Sequence, residues 1–178
     1  FWASSYEDKR PELTNAQRKM LSHYDNATLY NDSIVAQIVK RFQKQNAIII
    51  YVPDHGEECY EENRGFICRN HSANIDWPLA HYEFEIPFWI YCSPKYIKNH
   101  RDIYRQIRKA KDKRFMTDAL PHLLLYLAGI ETPTYKEEYN ILSPKYNEMR
   151  PRILKNSADY DKLRDEYYKK QEKKGAKK

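Results

Sequence analysis

Apolar side chains recur at helical spacing in the first quarter of the chain. They are Ile34, Val35, Ile38, Val39 and Phe42. This spacing predicts an amphipathic helix over residues 27–43, with the stripe as a packing surface rather than a cofactor site. Just before it, residues 14–17 read TNAQ, a capping-box pattern that predicts a separate short helix ending near residue 24.

A continuous apolar run follows the helical pattern. Residues 47–52 read AIIIYV and are stopped by Pro53. Such a run is typical of a strand buried on both faces of a parallel sheet. Residues 54–82 are polar and irregular, which predicts a long loop, and residues 86–92 predict a second strand. A helix followed closely by a buried strand is half of an α/β unit, so the predicted fold class is α/β.

Helical patterns return in the second half of the chain. Residues 100–111 predict an exposed, basic helix. Thr117 can cap another helix, and Gly129 suits the backbone just past its end. One further strand or short hairpin is predicted near residues 139–142.

Length and composition favour a soluble globular domain. The chain has 178 residues, of which 41% are hydrophobic and 31% are charged. That is enough for one domain with a core, and the apolar runs are too short to span a bilayer. No secretory signal is visible, and the first residue is Phe1 rather than Met. We therefore expect the chain to be a piece of a longer protein.

Most of the positive charge lies at the end of the chain. Residues 164–178 hold seven Lys or Arg and three Asp or Glu, which is +4 of the formal net charge of +6. We therefore divide the chain into a domain over residues 1–163 and a basic, solvated tail over residues 164–178. Because the domain itself is nearly neutral, nucleic acid is not expected as a partner.

The three cysteines, Cys59, Cys68 and Cys92, show no C-x-x-C zinc pattern. Cys59 and Cys68 lie nine positions apart in one predicted loop. They could form a disulfide in an oxidising compartment or remain two thiols, and the sequence leaves both open. Cys92 is interpreted as a structural cysteine at the end of the second strand.

The segment with the most distinctive chemistry follows the first predicted strand. Residues 51–57 read YVPDHGE, so Asp54 and His55 stand side by side at the carboxyl end of that strand, where open α/β sheets bind ligands. A turn could bring both side chains onto one metal ion, and Gly56 lacks the Cβ that would crowd such a turn. Carboxylate oxygen and imidazole nitrogen are ordinary ligands of zinc and also serve manganese. The alternative is a polar turn with a hydrogen-bonded histidine, and Glu58 just beyond it is expected to be solvated.

Several segments together resemble lipid phosphoethanolamine transferases. Residues 24–32 (YDNATLYND) are similar to a helix start in that family, and residues 52–58 (VPDHGEE) to its metal motif. Residues 69–72 (RNHS), followed by residues 85–90 (EIPFWI), resemble its second histidine loop and the next strand. Residues 117–130 resemble a helix that recurs across the wider sulfatase and alkaline-phosphatase-like superfamily.

The resemblance implies a partial sulfatase-like (alkaline-phosphatase-like) three-layer sandwich, with a mixed sheet flanked by helices. It also implies a metal-dependent enzyme on the periplasmic face of a bacterial inner membrane, attached to a membrane region. Such enzymes move phosphoethanolamine from a phospholipid donor to lipopolysaccharide, on lipid A or the core sugars, through a covalent threonine intermediate. By this resemblance Asp54 and His55 match two ligands of a divalent metal, zinc being favoured over manganese. His71 matches the histidine that contacts the phosphoryl group or a second metal.

Part of the family's machinery has no match in this sequence. Nothing in residues 1–50 resembles the threonine nucleophile, the other acidic metal ligand or the earlier histidine motif. We therefore expect the chain to be the C-terminal part of the catalytic domain, inactive alone and a weak metal binder. We also expect it to expose surface that the missing half of the domain would cover, which favours self-association.

Two other functions stay open. The first is another member of the superfamily, such as a sulfatase, a phosphodiesterase or a phosphoglycerol transferase, and the upstream nucleophile would decide between them. Residues 92–95 (CSPK) faintly resemble the sulfatase element C-x-P-x-R, but Tyr96 stands where that element needs arginine. The second is a non-enzymatic module that uses its Lys-rich end on anionic lipid or nucleic acid.

Overall fold

A computed structural model of the protein describes residues 1–68, 74–155 and 157–175. The helices are α1 (Asn15–Phe42), α2 (Trp77–Phe84), α3 (Pro94–Asn99), α4 (Arg101–Ala110), α5 (Leu120–Ala128) and α6 (Tyr160–Gly175). The strands are β1 (Ile48–Tyr51), β2 (Glu58–Cys59), β3 (Phe66–Cys68), β4 (Trp89–Cys92), β5 (Ile153–Leu154) and β6 (Ala158–Asp159). The predicted α/β class is confirmed.

The chain divides into two compact units. The first comprises Phe1–Ile49 and Tyr91–Asn99, and the second comprises Ile50–Ile90 and His100–Lys178. The strands in the described ranges form three two-stranded sheets, in which β1 pairs with β4, β2 with β3 and β5 with β6. All four residues of β1 are half-buried, so the expectation of a strand buried on both faces is wrong for this chain.

The first unit is dominated by the 28-residue helix α1. Its predicted start is confirmed, because the Thr14 side chain accepts a hydrogen bond from the Gln17 backbone and the Gln17 side chain accepts one from the Thr14 backbone. The predicted break near residue 24 is wrong. Asp25 and Asn26 are satisfied from outside the helix: Asp25 accepts a hydrogen bond from the Tyr6 hydroxyl, and the Asn26 amide donates to the backbone oxygen of Phe1 at 2.9 Å. Side chains engaged in this way do not compete for the helix backbone, so the helix continues through them.

The buried hydroxyl of Ser93 ties the end of β4 to the segment before β1. It donates to the backbone oxygen of Gln45 at 2.6 Å and accepts from the backbone nitrogens of Ala47 at 3.2 Å and Tyr96 at 3.1 Å. The last of these bonds caps α3 at its first turn. Cys92 beside it is buried, and burial raises the pKa of its thiol. The interpretation of Cys92 as a structural residue is consistent with this inert thiol.

In the second unit, the described residues between 54 and 82 form strands and a helix that were not predicted. Strands β2 and β3 form an antiparallel hairpin, and α2 follows with Asp76 at its start. The Asp76 carboxylate accepts a hydrogen bond from the Leu79 backbone at 3.1 Å, and Pro78 lies in the first turn, where its missing N–H is harmless. The sequence reading missed α2 because its eight residues are too few to show a helical period.

Helices α4 and α5 frame the main core of the second unit. Ala110, Leu123, Ile141 and Leu142 are buried there, with Phe88 among the side chains packed around them. Gly129 ends α5 at a φ of 66°, as predicted. Thr117 starts a short 3₁₀ turn but makes no capping bond, so its predicted role is wrong. The strand predicted near residues 139–142 is also wrong, because Glu137–Tyr139 forms a 3₁₀ turn.

A second cluster joins α2 to the last helix. Trp77 is buried against Tyr160, and the ring of Tyr167 lies 6.3 Å from the Trp77 ring. The predicted boundary at residue 163 therefore falls inside α6, which runs on through the first part of the predicted tail. The division of the chain at this boundary stays a prediction.

Candidate functional site

Asp54 and His55 follow β1 and lie together in the lining of a cleft. The Nε2 atom of His55 is 3.4 Å from the Oδ2 atom of Asp54, and the Nδ1 atom of His55 is 2.9 Å from the backbone oxygen of Gly56. The Asp54 side chain is 85% exposed and the His55 side chain 19% exposed. The turn after β1 thus brings a carboxylate oxygen and an imidazole nitrogen to one point, as the sequence predicts. Whether they bind a metal stays a prediction at this stage.

Backbone contact with α2 fixes the turn that carries this pair. The Gly56 N–H donates to the backbone oxygen of Glu83 at 2.8 Å. A Cβ at position 56 would lie 2.2 Å from the backbone oxygen of Tyr82, closer than any real contact. Only glycine allows this approach, so Gly56 positions Asp54 and His55 against the end of α2.

His71, the predicted catalytic residue, lies outside the described residues. The side chain of Cys68 is also outside them, so the Cys59–Cys68 disulfide stays a prediction. The hairpin pairs the backbone of Cys68 with Glu58 and that of Cys59 with Phe66.

Glu58 corrects one expectation from the sequence. Instead of being solvated, its side chain is fully buried, and its Oε1 atom lies 2.7 Å from the Nε atom of Arg64. Arg64 also contacts Asp76 at 2.5 Å, which links the hairpin to the start of α2. Burial raises the pKa of the Glu58 carboxyl, and the Arg64 guanidinium opposes that rise. This network ties the hairpin that follows the Asp54–His55 turn to the start of α2.

The cleft beside the Asp54–His55 pair has a volume of about 620 Å³. Volumes of this size are typical of small-molecule sites. Its acidic lining residues are Asp54, Glu83 and Glu85. Its basic lining residues are Lys111, Lys113, Arg114, Arg152 and Lys155. The remaining lining is largely apolar and includes Phe88, Phe115 and Leu154.

The Glu85 carboxylate in the cleft lining is held by Tyr160 and His81. The Tyr160 hydroxyl donates to Glu85, whose Oε1 atom is also 3.0 Å from the Nδ1 atom of His81. Burial raises the pKa of Glu85, but the bonds from Tyr160 and His81 outweigh it and leave that pKa lowered. Burial and the Glu85 carboxylate together raise the pKa of Tyr160. His81 therefore has a structural role, holding the Glu85 carboxylate.

One carboxylate beside the cleft, that of Asp161, binds several guanidinium groups. Asp161 accepts two hydrogen bonds from Arg152, at 2.6 and 3.2 Å, and another from Arg114. Arg164 lies 3.5 Å from the same carboxylate. The hydrogen bond from Arg152, with the nearby charges, lowers the pKa of Asp161. Asp161 thus holds Arg114 and Arg152 in place, while Arg164 also pairs with Asp165 at 2.9 Å.

The donor atoms of the Asp54–His55 pair fit part of a metal site. A carboxylate oxygen and an imidazole nitrogen meet there, and both are ligands that zinc accepts. Within the described parts of the chain, no group of three His, Cys, Asp or Glu side chains is placed to hold a metal ion. A catalytic zinc takes three protein ligands, so the pair needs at least one more from elsewhere.

The sequence pattern did not predict the basic residues of the cleft lining. Residues 111–114 read KDKR, but they were interpreted only as the end of an exposed helix and a following connection. Arg152 and Lys155 lie about 40 positions further along the chain. Only the fold brings them to the same cleft, although the KDKR run itself was a visible signal. Among the described residues, no helix is both long and apolar enough to cross a membrane.

Comparison with curated proteins finds similar transferases. The chain is 31% identical over 161 residues to "Phosphoethanolamine transferase EptC" of Escherichia coli strain K12, covering 86% of this chain and 26% of that protein. It is 30% identical over 104 residues to "Kdo(2)-lipid A phosphoethanolamine 7''-transferase" of the same strain, covering 57% of this chain and 17% of that protein. The chain thus spans about a quarter or less of the length of these relatives.

Comparison with solved structures confirms the sulfatase-like fold. The crystal structure of the C-terminal periplasmic domain of EptC from Escherichia coli matches with a TM-score of 0.68 and 30% identity, over 84% of this chain and 42% of that one. A zinc complex of the same domain matches equally well. A family model described as Sulfatase matches residues 2–130. That match spans well over half of the 178 residues, and the chain belongs to the sulfatase family.

Proposed function

We propose that the chain is part of the catalytic domain of a metal-dependent phosphoethanolamine transferase. The protein would take phosphoethanolamine from a phospholipid donor and pass it to lipopolysaccharide at the periplasmic face of a bacterial inner membrane. The observation that carries the proposal is the Asp54–His55 pair, which meets at 3.4 Å on the wall of a cleft large enough for a substrate. Similarity to transferases over 86% of the chain supports the choice of reaction.

In this proposal Asp54 and His55 hold a divalent metal, with zinc favoured over manganese. The carboxylate supplies negative charge and the imidazole a neutral nitrogen, and Gly56 keeps the two side chains at the cleft. A bound metal would stabilise charge on the phosphoryl oxygens and lower the pKa of the nucleophile. The zinc complex of the similar periplasmic domain supports zinc as the metal.

His71 is assigned to the phosphoryl group. It follows Asp54 and His55 by 16 to 17 positions. A histidine there could donate a hydrogen bond to a phosphoryl oxygen or protonate the leaving group. The assignment rests on the family resemblance of residues 69–72.

The chemical step needs a nucleophile that this chain does not supply. A threonine hydroxyl from another part of the protein would attack phosphorus and lose its proton, and the diacylglycerol oxygen would leave with a proton. An acceptor oxygen on lipopolysaccharide would then attack the phosphothreonine and release the threonine. Because this chemistry needs the rest of the domain, we expect the chain alone to be inactive and to bind metal weakly.

The test is the intact mass of the full-length protein after incubation with phosphatidylethanolamine and zinc. The expected product is a phosphoethanolamine adduct on a threonine, absent from His55→Ala. His23→Ala is the matched control, because His23 is an exposed histidine on α1, outside the cleft lining. We expect the control to keep the adduct and His55→Ala to lose bound zinc as well.

Two outcomes would contradict the proposal. A metal-loaded protein that forms no adduct with a donor accepted by a related transferase would exclude this reaction. Sulfate esters and phosphodiesters would then be the next substrates, since the family model is named for sulfatases. An adduct that survives in His55→Ala would instead remove His55 from the site.

A further inference from the structure

The last helix, α6, ends in a strongly positive segment that the proposed function does not use. Residues 169–178 contain six lysines and one glutamate, a formal charge of +5. The match to the sulfatase family model ends at residue 130, so this segment lies outside it. None of the described residues that line the cleft comes from this segment either. Its charge therefore has no role in the metal site or the cleft.

Three lysines near the end of α6 form an exposed group. Lys169, Lys170 and Lys173 are all exposed, and we call them the lysine patch. Within the described ranges none of the three forms an ion pair, although Glu166 and Glu172 lie on the same helix. Ammonium groups without a carboxylate partner keep their positive field for a ligand outside the chain.

Packing at the middle of α6 fixes the direction in which the patch faces. The rings of Tyr167 and Tyr168 lie 6.3 and 5.9 Å from the ring of Trp77 on α2. Because about 3.6 residues make one turn of a helix, Lys169 and Lys173 lie on the side of α6 opposite Tyr167. The patch therefore faces away from the aromatic cluster that anchors the helix.

Tyr168 adds an aromatic ring beside the lysine patch. Its side chain is 53% exposed, although its ring meets Trp77 edge-on. Tyrosine combines an apolar ring with a polar hydroxyl, and this combination favours the headgroup level of a membrane. Lysine side chains next to it can extend their ammonium groups to lipid phosphates while their methylene stems cover apolar surface. Lysines with an exposed tyrosine are thus suited to an anionic membrane surface.

The distribution of charge over the chain favours a membrane over a nucleic acid. Residues 1–163 carry a formal charge of only +2. A nucleic-acid interface needs a basic face that follows the phosphate backbone across the domain, and here the excess charge is confined to one helix end. A bilayer presents many headgroup phosphates in one plane, so a short cluster of lysines is enough to bind it.

We propose that the lysine patch, with Tyr168 beside it, binds the headgroups of a bilayer that contains anionic phospholipid. The contact places the end of α6 on the membrane surface without inserting the helix. Each lysine near such a surface strengthens binding about fivefold, so the contact is peripheral and reversible. This inference does not rest on the proposed function, because it uses no residue of the cleft.

The test measures co-sedimentation of the 178-residue chain with vesicles, in EDTA. The chain should bind vesicles of equimolar phosphatidylcholine and phosphatidylglycerol and should not bind phosphatidylcholine alone. Binding should be lost at about 0.5 M salt, because salt screens exposed charges. The variant Lys169→Gln with Lys170→Gln and Lys173→Gln should weaken binding at least about tenfold. Arginine at the same three positions should change it less than about twofold, since the charge is kept.

The matched control removes the same charge from the first unit. It is Lys9→Gln with Lys19→Gln and Lys44→Gln, three exposed positions of that unit. It should change binding less than about twofold, because these positions are not part of the patch. Glutamine has nearly the helix propensity of lysine, so far-UV circular dichroism should show the same helix content in every variant.

The opposite outcomes would overturn the proposal. Undiminished binding in the glutamine variant of the patch would exclude these lysines. Equal weakening in the control would show that net charge rather than the patch drives binding. Duplex DNA that displaces the chain from vesicles at equal phosphate concentration would identify a general polyanion site instead of a lipid site. Because the vesicles hold no phosphatidylethanolamine and EDTA removes divalent metal, these results are independent of the adduct experiment.

Discussion

At the scale of single residues, the tightest constraint on the candidate site is Gly56. Its N–H binds the Glu83 backbone, and a Cβ would fall 2.2 Å from the backbone oxygen of Tyr82. We expect Gly56→Ala to lower the free energy of unfolding by about 2 kcal/mol, because backbone must move to relieve the clash. Urea denaturation of both proteins measures this difference in the free energy of unfolding. In a site without this contact, the same change would stabilise the protein by reducing the entropy of the unfolded chain.

Gly65→Ala is the comparison for this prediction. Gly65 has a φ of 89°, but nothing lies within 4 Å of the position of its Cβ. It should lose only about 1 kcal/mol, from the left-handed backbone. A Gly56→Ala protein as stable as the original would show that the turn and α2 are not in close contact.

Gly56 shows which features of the site can be predicted from the sequence and which cannot. The motif predicted that a turn brings Asp54 and His55 together and that glycine makes room, and both side chains do meet. The group that needs the room is the Tyr82 backbone on α2, in a segment predicted to be a loop. A local sequence pattern can predict the candidate metal ligands. It cannot predict the residues of α2 that pack against them, because those residues are distant in the sequence.

At the scale of elements, the sequence predicts helices and strands correctly where a pattern extends over many residues. It fails where contacts with distant residues determine the structure. A capping pattern predicted the start of α1, an apolar run predicted β1, and Gly129 predicted the end of α5. The continuation of α1 past Asp25 and Asn26 depends on partners near the first residues of the chain, 19 and 25 positions away. The hairpins β2–β3 and β5–β6 have strands of two or three residues, too short for an alternating pattern.

Asp161 in the first turn of α6 joins that helix to the segments around Arg114 and Arg152. These guanidinium groups lower the pKa of Asp161 in the folded protein. The ionised carboxylate therefore stabilises the fold fully at pH values above its unfolded pKa, near 3.8. This stabilisation is lost as the pH falls through the lower pKa of the folded state. We expect Asp161→Asn to lower the free energy of unfolding by about 2 kcal/mol near pH 6. The difference from the unmodified protein should shrink as the pH falls toward about 2, measured by urea denaturation at each pH.

Asp165→Asn is the control for this prediction. Asp165 is also on α6, but its side chain is 54% exposed and its ion pair is with Arg164. An exposed pair contributes little, so the control should change stability by less than about 0.5 kcal/mol. A pH-independent difference for Asp161→Asn would mean that the carboxylate is not the source of the stabilisation.

At the scale of the whole molecule, the apolar stripe of α1 is less buried than the sequence predicts. Ile34 is 37% exposed, Ile38 is 44% exposed and Phe42 is 36% exposed. The stripe was predicted to be a packing surface, yet in this chain much of it faces solvent. The chain corresponds to 42% of the similar periplasmic domain, so a face left open here is consistent with a surface that packs against other parts of such a domain.

An open apolar stripe should make the isolated chain self-associate. We expect sedimentation velocity to show concentration-dependent association, and Ile34→Asn with Ile38→Asn to weaken it at least about tenfold, since each isoleucine contributes about 1 kcal/mol when its exposed part is covered. Ser33→Asn with Ala36→Asn is the matched control, because it places the same residue type at exposed, uncharged positions of α1 outside the groove that Ile34 and Ile38 line. Association that is equally weakened in both pairs would point to loss of helix rather than loss of the stripe. A chain that stays monomeric at all concentrations would show that the exposed stripe alone does not drive association.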